Sequence, residues 1–275
     1  MLLTPSLSCG AEFRRVEPDT TLPNGSKMNS YVDIEGEIQP GDFNKFREFL
    51  LNTDNLYSFL NFVLLTSPGG DVVEAMKFAN LFDRGFIKVS VAVKCYSSCF
   101  IMFAGGVDRS LIGIGTLGVH RISTRELQLD IQRAKAQISP IASDVSAYLL
   151  QQGIPRVLVD KMNETPASRL FRIDHESLTD STIAAAVRYS PIFIDTVDRA
   201  CGRDPDPFPG KYIREAPRDS QTMAAIGEWV RCSNKVRLRN SYRFLLAELA
   251  MLKAGKSSVA FPDGQYERAR KSIGE

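Results

Sequence analysis

The 275-residue sequence lacks the features that mark membrane proteins, nucleic-acid-binding proteins and disulfide-rich miniproteins. No apolar run reaches the roughly 18 residues of a membrane-spanning helix, so we expect no membrane span. The net charge is only +2, from 34 basic and 32 acidic residues, which predicts no nucleic-acid partner and no attraction to anionic membranes. Five cysteines are an odd number and too few for a dense disulfide framework. With 44% hydrophobic and 24% charged residues, the composition is that of a globular protein with its own core.

Histidine is scarce, and this limits the residues that could act as a base near neutral pH. The chain has two histidines, His120 and His175. His120 follows a glycine-rich extended segment, whereas His175 lies among polar residues and is predicted to sit at a solvated helix start. His120 is therefore the candidate base, and a structural histidine is the alternative. No group of side chains has the spacing of metal ligands, so we expect no metal and no cofactor.

Short apolar runs alternate with amphipathic segments along most of the chain. Strands are predicted at residues 31–38, 62–65, 89–93, 110–119 and 170–173, and helices at residues 43–52, 72–84 and 125–152. We expect Pro140 to kink or divide the last of these helices. Strands that alternate with helices predict an α/β fold with crossover helices and a parallel sheet, in which functional turns lie at the carboxyl ends of the strands.

Composition suggests three units along the chain. Residues 1–29 are predicted to be an irregular leader, residues 30–190 the main α/β domain, and residues 191–275 a proline-rich connector with a helical extension. The leader has a short apolar stretch without preceding basic residues, so it is either disordered or the remnant of a signal peptide that starts upstream. In the extension, we expect the basic cluster Arg231–Arg243 to be a solvated helix face and Trp229 to pack in the core.

A turn rich in glycine follows the predicted strand at residues 62–65. This glycine turn comprises residues 67–71 and reads Ser-Pro-Gly-Gly-Asp. Paired glycines permit positive φ angles and leave backbone N–H groups free to face an incoming oxygen, as an oxyanion hole requires. The alternative is a plain tight turn between a strand and a helix.

A second turn places two serines where a strand meets a helix. This serine turn comprises residues 96–99 and reads Tyr-Ser-Ser-Cys. A helix N-terminus favours negative charge that develops nearby, so Ser97 or Ser98 is a candidate nucleophile; helix capping is the alternative. A nucleophilic serine needs a base, and His120 is expected at the same edge of the sheet.

The order of these motifs resembles that of a known family. The segment 67–72, then Ser97, then Gly-Val-His-Arg at residues 118–121 is similar to the ClpP-class serine peptidases of the ClpP/crotonase superfamily, and His120 follows Ser97 by 23 residues. The chain is also similar to uncharacterised periplasmic ClpP-like proteins. That similarity rests on Cys95–Cys99, residues 104–106, Arg109 and residues 36–42. The resemblance covers about residues 31–185.

The resemblance implies a ClpP/crotonase-like parallel sheet with crossover helices, here followed by a small helical C-terminal extension. It also implies that Ser97 is the nucleophile and His120 the general base. The oxyanion donors would be the backbone N–H groups of Gly69 or Gly70 and of Ser98, and Ser98 stays a competitor for the nucleophile.

The sequence departs from this family at the third catalytic residue. The peptidases have an aspartate at a position near residues 168–172, where this chain has no acid; Asp160, Asn163, Glu164 and Asp174 lie nearby. The resemblance predicts a serine-type peptidase or related hydrolase that acts on peptides or proteins by acyl transfer. The alternative is a catalytically weak ClpP-like scaffold that binds a peptide or protein partner. An acyl-CoA enzyme of the crotonase type is disfavoured, because those enzymes generally use no serine–histidine pair.

Three further questions stay open at this point: whether the chain is an enzyme, whether it forms a homo-oligomer, and where it resides. The resemblance and a lost upstream signal would make it periplasmic or secreted; otherwise we expect a cytoplasmic protein. The long helix at residues 125–152 lies at the position that builds rings in the ClpP family. Amphipathicity alone does not establish assembly.

The cysteines could form two disulfides. Cys95 and Cys99 flank Ser97, and an i, i+4 spacing on a helix could bring their sulfurs close enough to bond; buried free thiols are the alternative. Cys201 and Cys232 bracket the proline-rich connector, and a bond between them would close the extension in an oxidising compartment.

Overall fold

The structure is a computed structural model that describes residues 10–20, 28–123, 131–173, 187–205 and 220–275, with backbone alone for residues 131–138. The expectations for His175 and Asp174 lie outside these residues. Within them, every helix is too short or too polar to cross a bilayer.

The strands form one mixed, seven-stranded sheet in the order β1-β2-β3-β4-β6-β7, with β5 beside the first half of β4. They are β1 (Glu12–Val16), β2 (Tyr31–Glu35), β3 (Val63–Ser67), β4 (Lys88–Tyr96), β5 (Asp108–Leu111), β6 (Thr116–Val119) and β7 (Phe171–Ile173). The central pairs are parallel, as predicted, but β1 and β7 pair antiparallel with β2 and β6. The α/β fold class is confirmed, and its sheet is mixed.

Helices connect the parallel strands and cover the sheet. They are α1 (Asp42–Phe49), α2 (Thr53–Asn61), α3 (Val72–Arg84), α4 (Cys99–Gly105), α5 (Ile131–Gln151), α6 (Arg156–Glu164), α7 (Pro191–Cys201), α8 (Ser220–Lys253) and α9 (Tyr266–Ser272). Helices α1 and α2 connect β2 to β3, α3 connects β3 to β4, and α4 follows β4. These short connections bring the ends of β3 and β4 next to each other.

Buried aromatic rings hold the helices against the sheet. Phe46 of α1 lies 5.3 Å from Phe78 of α3 and 5.6 Å from Phe59 of α2, measured between ring centroids. All three side chains are at most 1% exposed, so each removes its full apolar surface from water. The phenylalanines recur at helical spacing and face inward, as the amphipathic pattern predicts.

Several local predictions differ from the structure. The leader contains strand β1, which pairs with β2, and α2 was not predicted. The extended segment 110–119 is two strands separated by a turn, with β5 beside the start of β4 and β6 beside its end. Helix α5 contains Pro140 and continues through it, so the predicted division is wrong. The helix predicted at residues 72–84 is confirmed as α3.

The C-terminal helix α8 is attached by buried polar side chains. Arg237, which is 3% exposed, donates to the carbonyl oxygens of Leu60 at 2.7 Å and Asn61 at 3.0 Å. These carbonyls lie at the C-terminal end of α2, where the last turn of a helix leaves acceptors unpaired. The prediction of a solvated basic face is therefore wrong at Arg237. Trp229 packs against Val107, Tyr189 and Phe193 in a small second core.

Candidate functional site

The glycine turn leaves β3 in a conformation that only glycine adopts easily. Gly69 has φ 98° and Gly70 has φ 147°. Asp71 then begins α3, because its carboxylate accepts the N–H of Glu74 at 2.7 Å. The turn is also paired on its outer side: Ile38 donates its N–H to Gly69 O at 2.9 Å and accepts the N–H of Asp71 at 2.8 Å.

A buried carboxylate holds the segment that pairs with the glycine turn. Asp42 is fully buried and accepts the N–H groups of Gln39 at 2.8 Å and Ala11 at 2.9 Å, while Lys45 pairs with it at 2.9 Å. Residue Gly41, and not Asp42, is the N-cap of α1. The carboxylate therefore joins the N-terminal strand to the segment around Ile38.

The glycine turn and the serine turn touch each other. A Cβ atom at Gly69 would lie 2.6 Å from Ser97 Cβ and 2.6 Å from the carbonyl oxygen of Tyr96. Both distances are shorter than carbon atoms tolerate, and one partner is backbone. Glycine is thus required at position 69 both by its φ angle and by the closeness of the serine turn.

Ser97 has a strained backbone at the tip of the serine turn. Its φ is +56°, a left-handed value that non-glycine residues seldom adopt. The turn connects β4 to α4 and is a sharp strand-to-helix turn. Ser97 is part-exposed, whereas Ser98 is 2% exposed and its hydroxyl has no hydrogen-bond partner among the described residues. Of these two serines, Ser97 is the one that reaches the surface.

A disulfide brackets the serine turn. Cys95 and Cys99 are bonded, with their Cα atoms 5.1 Å apart. The expected bond is present, but Cys95 belongs to β4 and Cys99 is the first residue of α4, so the two cysteines do not lie on one helix as expected. The bond closes the strand-to-helix turn itself, and both side chains are fully buried.

His120 directly follows β6, the strand next to the serine turn. Tyr96 is paired with Gly118, and Ser97 donates its N–H to Gly118 O at 2.8 Å. Neighbouring strands are about 4.8 Å apart, so His120 follows β6 within a residue or two of Ser97 across the sheet. The register therefore places Ser97 and His120 at the same end of neighbouring strands.

The hydrogen bond of His120 selects one tautomer. Nδ1 lies 2.9 Å from the carbonyl oxygen of Arg121, and a carbonyl can only accept. Nδ1 therefore carries the proton, and in the neutral ring Nε2 has the free lone pair that a general base needs. The peptide group between His120 and Arg121 is also held, because the N–H of Arg121 donates to Thr165 O at 2.9 Å, just after α6.

No carboxylate among the described residues contacts His120. Of the nearby candidates, Glu164 pairs with Lys161 at 3.0 Å and the Asn163 amide donates to Ser146 at 3.2 Å. Asp160 is exposed on α6. In the described part of the chain, the Arg121 carbonyl occupies the place where a triad has its acid.

The expected oxyanion donors differ in their availability. The N–H of Gly69 donates to Ser67 Oγ at 3.0 Å and is occupied. The N–H groups of Gly70 and Ser98 have no hydrogen-bond partner among the described residues. Ser67 was not singled out in the sequence, although a serine two residues before a glycine is a known side-chain turn pattern.

A groove of about 510 Å³ opens beside His120. It is lined by Pro68, Tyr96, His120, Ala167, Ser168, Arg169, Leu170 and Arg172. The sequence analysis missed the segment 167–172 as a wall of the site, since only tertiary structure places it there. A larger cavity of about 740 Å³ lies around Gly153, Tyr189 and Pro191, and none of its lining residues belongs to either turn. The smaller groove is lined by His120 and by Pro68 and Tyr96 of the two turns, whereas Ser97 is not among its lining residues.

Arg109, one of the residues that carry the family resemblance, lies in the core. It is 1% exposed and donates to the carbonyl oxygens of Ala104 and Gln152, both at 3.0 Å. Burial lowers the pKa of Arg109 to about 10. Arg109 therefore joins α4 to the end of α5 and does not reach the groove.

Fold and geometry together define an α/β protein with a strained serine at a strand-to-helix turn and a histidine directly after the adjacent strand. No protein-family model matches the sequence, and no curated protein matches it. Solved structures are similar to about half of the chain.

Two solved structures illustrate this likeness. One is a mutant of the 1510-N membrane-bound stomatin-specific protease, 13% identical, with a TM-score of 0.43, covering 55% of this chain and 74% of that one. The other is a mutant of ClpP1 from Listeria monocytogenes, 16% identical, with a TM-score of 0.41, covering 55% of this chain and 86% of that one.

Proposed function

We propose that the protein is a serine-type hydrolase that cleaves peptides by acyl transfer, with Ser97 as nucleophile and His120 as general base. The observation that carries this proposal is that a strained, part-exposed serine and a histidine whose Nδ1 is held as a donor lie at the ends of neighbouring strands. Backbone strain at a serine costs free energy, and a serine that only caps a helix does not need it. A histidine held in one tautomer is a feature of serine hydrolase sites.

The geometry supports the following sequence of steps. His120 Nε2 takes the proton of Ser97 Oγ as Oγ bonds to the substrate carbonyl carbon. The carbonyl oxygen gains a negative charge, which the free N–H groups of Gly70 and Ser98 would stabilise. The protonated His120 then gives its proton to the leaving amine as the C–N bond breaks. Water, deprotonated by His120, hydrolyses the acyl-enzyme ester and restores Ser97.

The Arg121 carbonyl would support the imidazolium less strongly than a carboxylate does, because it carries only a partial charge. We therefore expect a slower enzyme than one with a full triad. In a well-studied triad, replacing the acid that orients the histidine lowers kcat by about 10⁴-fold. This same observation favours the second candidate function, a scaffold that binds a peptide or protein partner in the groove without turnover.

Labelling with a fluorophosphonate probe separates the two functions. We expect the purified protein to be labelled, Ser97→Ala to lose labelling, and His120→Ala to label about 100-fold more slowly. Ser98→Ala is the matched control and should label normally, because its hydroxyl is buried. Absence of labelling in a wild-type protein whose circular dichroism shows that it is folded would favour the scaffold.

We propose further that the protein works in an oxidising compartment, periplasmic or extracellular. Its two disulfides support this, since such bonds persist mainly outside the reducing cytosol. The check is mass spectrometry of protein isolated from its source cells with thiols trapped by alkylation. One alkylated cysteine of five is the expected result, and five would contradict it.

A further inference from the structure

The groove beside His120 carries positive charge without balancing acid. Of its eight lining residues, Arg169 and Arg172 are cationic and none is an aspartate or glutamate. Arg121, next to His120, is also exposed. The rest of the lining is apolar or neutral, including Leu170, which is 38% exposed.

These arginines differ from the arginines that support the fold. Arg47 has 12% of its side chain exposed and Arg237 is buried, and both donate to main-chain carbonyl oxygens. Arg169 and Arg172 are exposed, and within the described residues neither guanidinium makes an ion pair or a hydrogen bond. Five donors on each side chain are thus available to a ligand.

The sheet register fixes where this charge lies relative to Ser97. Arg172 of β7 is paired with Gly118 of β6, and Gly118 is paired with Tyr96 of β4. Arg172 is therefore two strand spacings, about 10 Å, from the serine turn. An extended peptide advances about 3.3 Å per residue, so a side chain within about three residues of the scissile bond can reach it.

We propose that Arg169 and Arg172 form a subsite that binds a carboxylate of the peptide near the scissile bond. This inference rests on the proposed hydrolase function and names its substrate class. Guanidinium groups bind carboxylates through paired, charge-assisted hydrogen bonds, and the apolar lining accommodates the neighbouring aliphatic groups. The carboxylate comes either from an acidic side chain or from the C-terminus of the peptide.

Binding to the Ser97→Ala protein tests the subsite without turnover. The probes are acetylated, amidated octapeptides of alanine and leucine with one glutamate placed at each position in turn, labelled with a neutral dye and followed by fluorescence polarisation. Matched peptides with glutamine remove the charge. A third set has glutamine and a free C-terminal carboxylate, which distinguishes the two sources.

We expect at least one glutamate peptide, or a peptide with a free C-terminus, to bind about tenfold more tightly than its neutral counterpart. Arg169→Gln and Arg172→Gln should each reduce this preference, and the control Arg239→Gln, an exposed arginine on α8, should keep it. Equal binding of charged and neutral peptides, or no binding of any, would overturn the subsite. Fluorophosphonate labelling of the wild-type protein reports separately on the hydrolase function.

Discussion

The serine turn and helix α8 are attached to the body of the protein by opposite means. The serine turn is held by backbone contacts with segments nearby in sequence, such as Gly69 and Gly118, and by the bond between Cys95 and Cys99. Helix α8 is held by buried charged side chains that reach residues more than 150 positions away. The contacts of the serine turn fix the geometry of a few atoms, whereas those of α8 fix a whole helix. We therefore expect substitutions at the serine turn to slow fluorophosphonate labelling and substitutions at α8 to lower the free energy of unfolding.

The largest effect is expected at Arg237, which α8 buries against the end of α2. Arg237→Met leaves the carbonyls of Leu60 and Asn61 without their donor and should lower the free energy of unfolding by about 3 to 5 kcal/mol. Urea denaturation measures this. The folded variant should still react with the fluorophosphonate probe. Arg239→Met, on the exposed face of the same helix, should change stability by less than about 0.5 kcal/mol.

The two disulfides allow the effects of a long and a short cross-link on stability and labelling to be compared. Cys201 and Cys232 are 31 residues apart, whereas Cys95 and Cys99 are 4 apart. Loop entropy predicts a loss of about 4 kcal/mol for removing the first bond by double serine substitution and about 2 kcal/mol for the second. Labelling should fall only when the short bond is removed. If both variants label alike, the short disulfide does not fix the serine turn.

Gly69→Ala tests the contact between the two turns. The added methyl would overlap Ser97 Cβ and the Tyr96 carbonyl, so the serine turn must shift. We expect labelling to slow by about 100-fold, since small displacements of reacting groups are costly. Gly113→Ala is the control, because Gly113 also has a positive φ, +60°, but its Cβ would meet nothing within 4 Å. Similar losses in both variants would show that strain, and not contact, controls the site.

The smallest expected effect concerns Glu248, which is 1% exposed on α8 and pairs with the half-exposed Arg84 at 2.9 Å. Arg84→Gln should cost about 1 kcal/mol of stability, because the carboxylate keeps its second partner, the N–H of Val259. Thermal unfolding measures this. Arg268→Gln breaks an exposed pair with Glu48 and should cost less than about 0.5 kcal/mol. A larger loss at Arg268 would contradict the distinction between buried and exposed pairs.

The difference between local and long-range attachment also explains which features the sequence could predict. The glycine turn, the serine turn and the placement of His120 follow from short motifs at the ends of strands, and helix α3 was located residue for residue. Strand β1 was missed because a short, polar, charged segment has no apolar alternation, and its pairing with β2 supplies what its sequence does not. Pro140 was misjudged because surrounding structure can retain a helix that loses one hydrogen bond.

The parts of the site that the sequence did not predict also depend on contacts between distant segments. The Arg121 carbonyl that orients His120 is backbone, so no residue type marks it. Arg169 and Arg172 reach the groove only because β7 pairs antiparallel with β6, a register that periodicity does not reveal. Arg237 was assigned to solvent because a lone arginine in a basic helix face carries no signal of burial.

The buried carboxylate of Asp42 makes the beginning of the described chain a structural support for the proposed site. Ala11 donates to Asp42, Asp42 fixes Gln39, and the adjacent Ile38 holds both ends of the glycine turn. Trimming of the N-terminal strand by a protease would remove one donor from a carboxylate that water cannot reach. Such processing would loosen the glycine turn, which contacts Ser97, while leaving Ser97 and His120 in the chain.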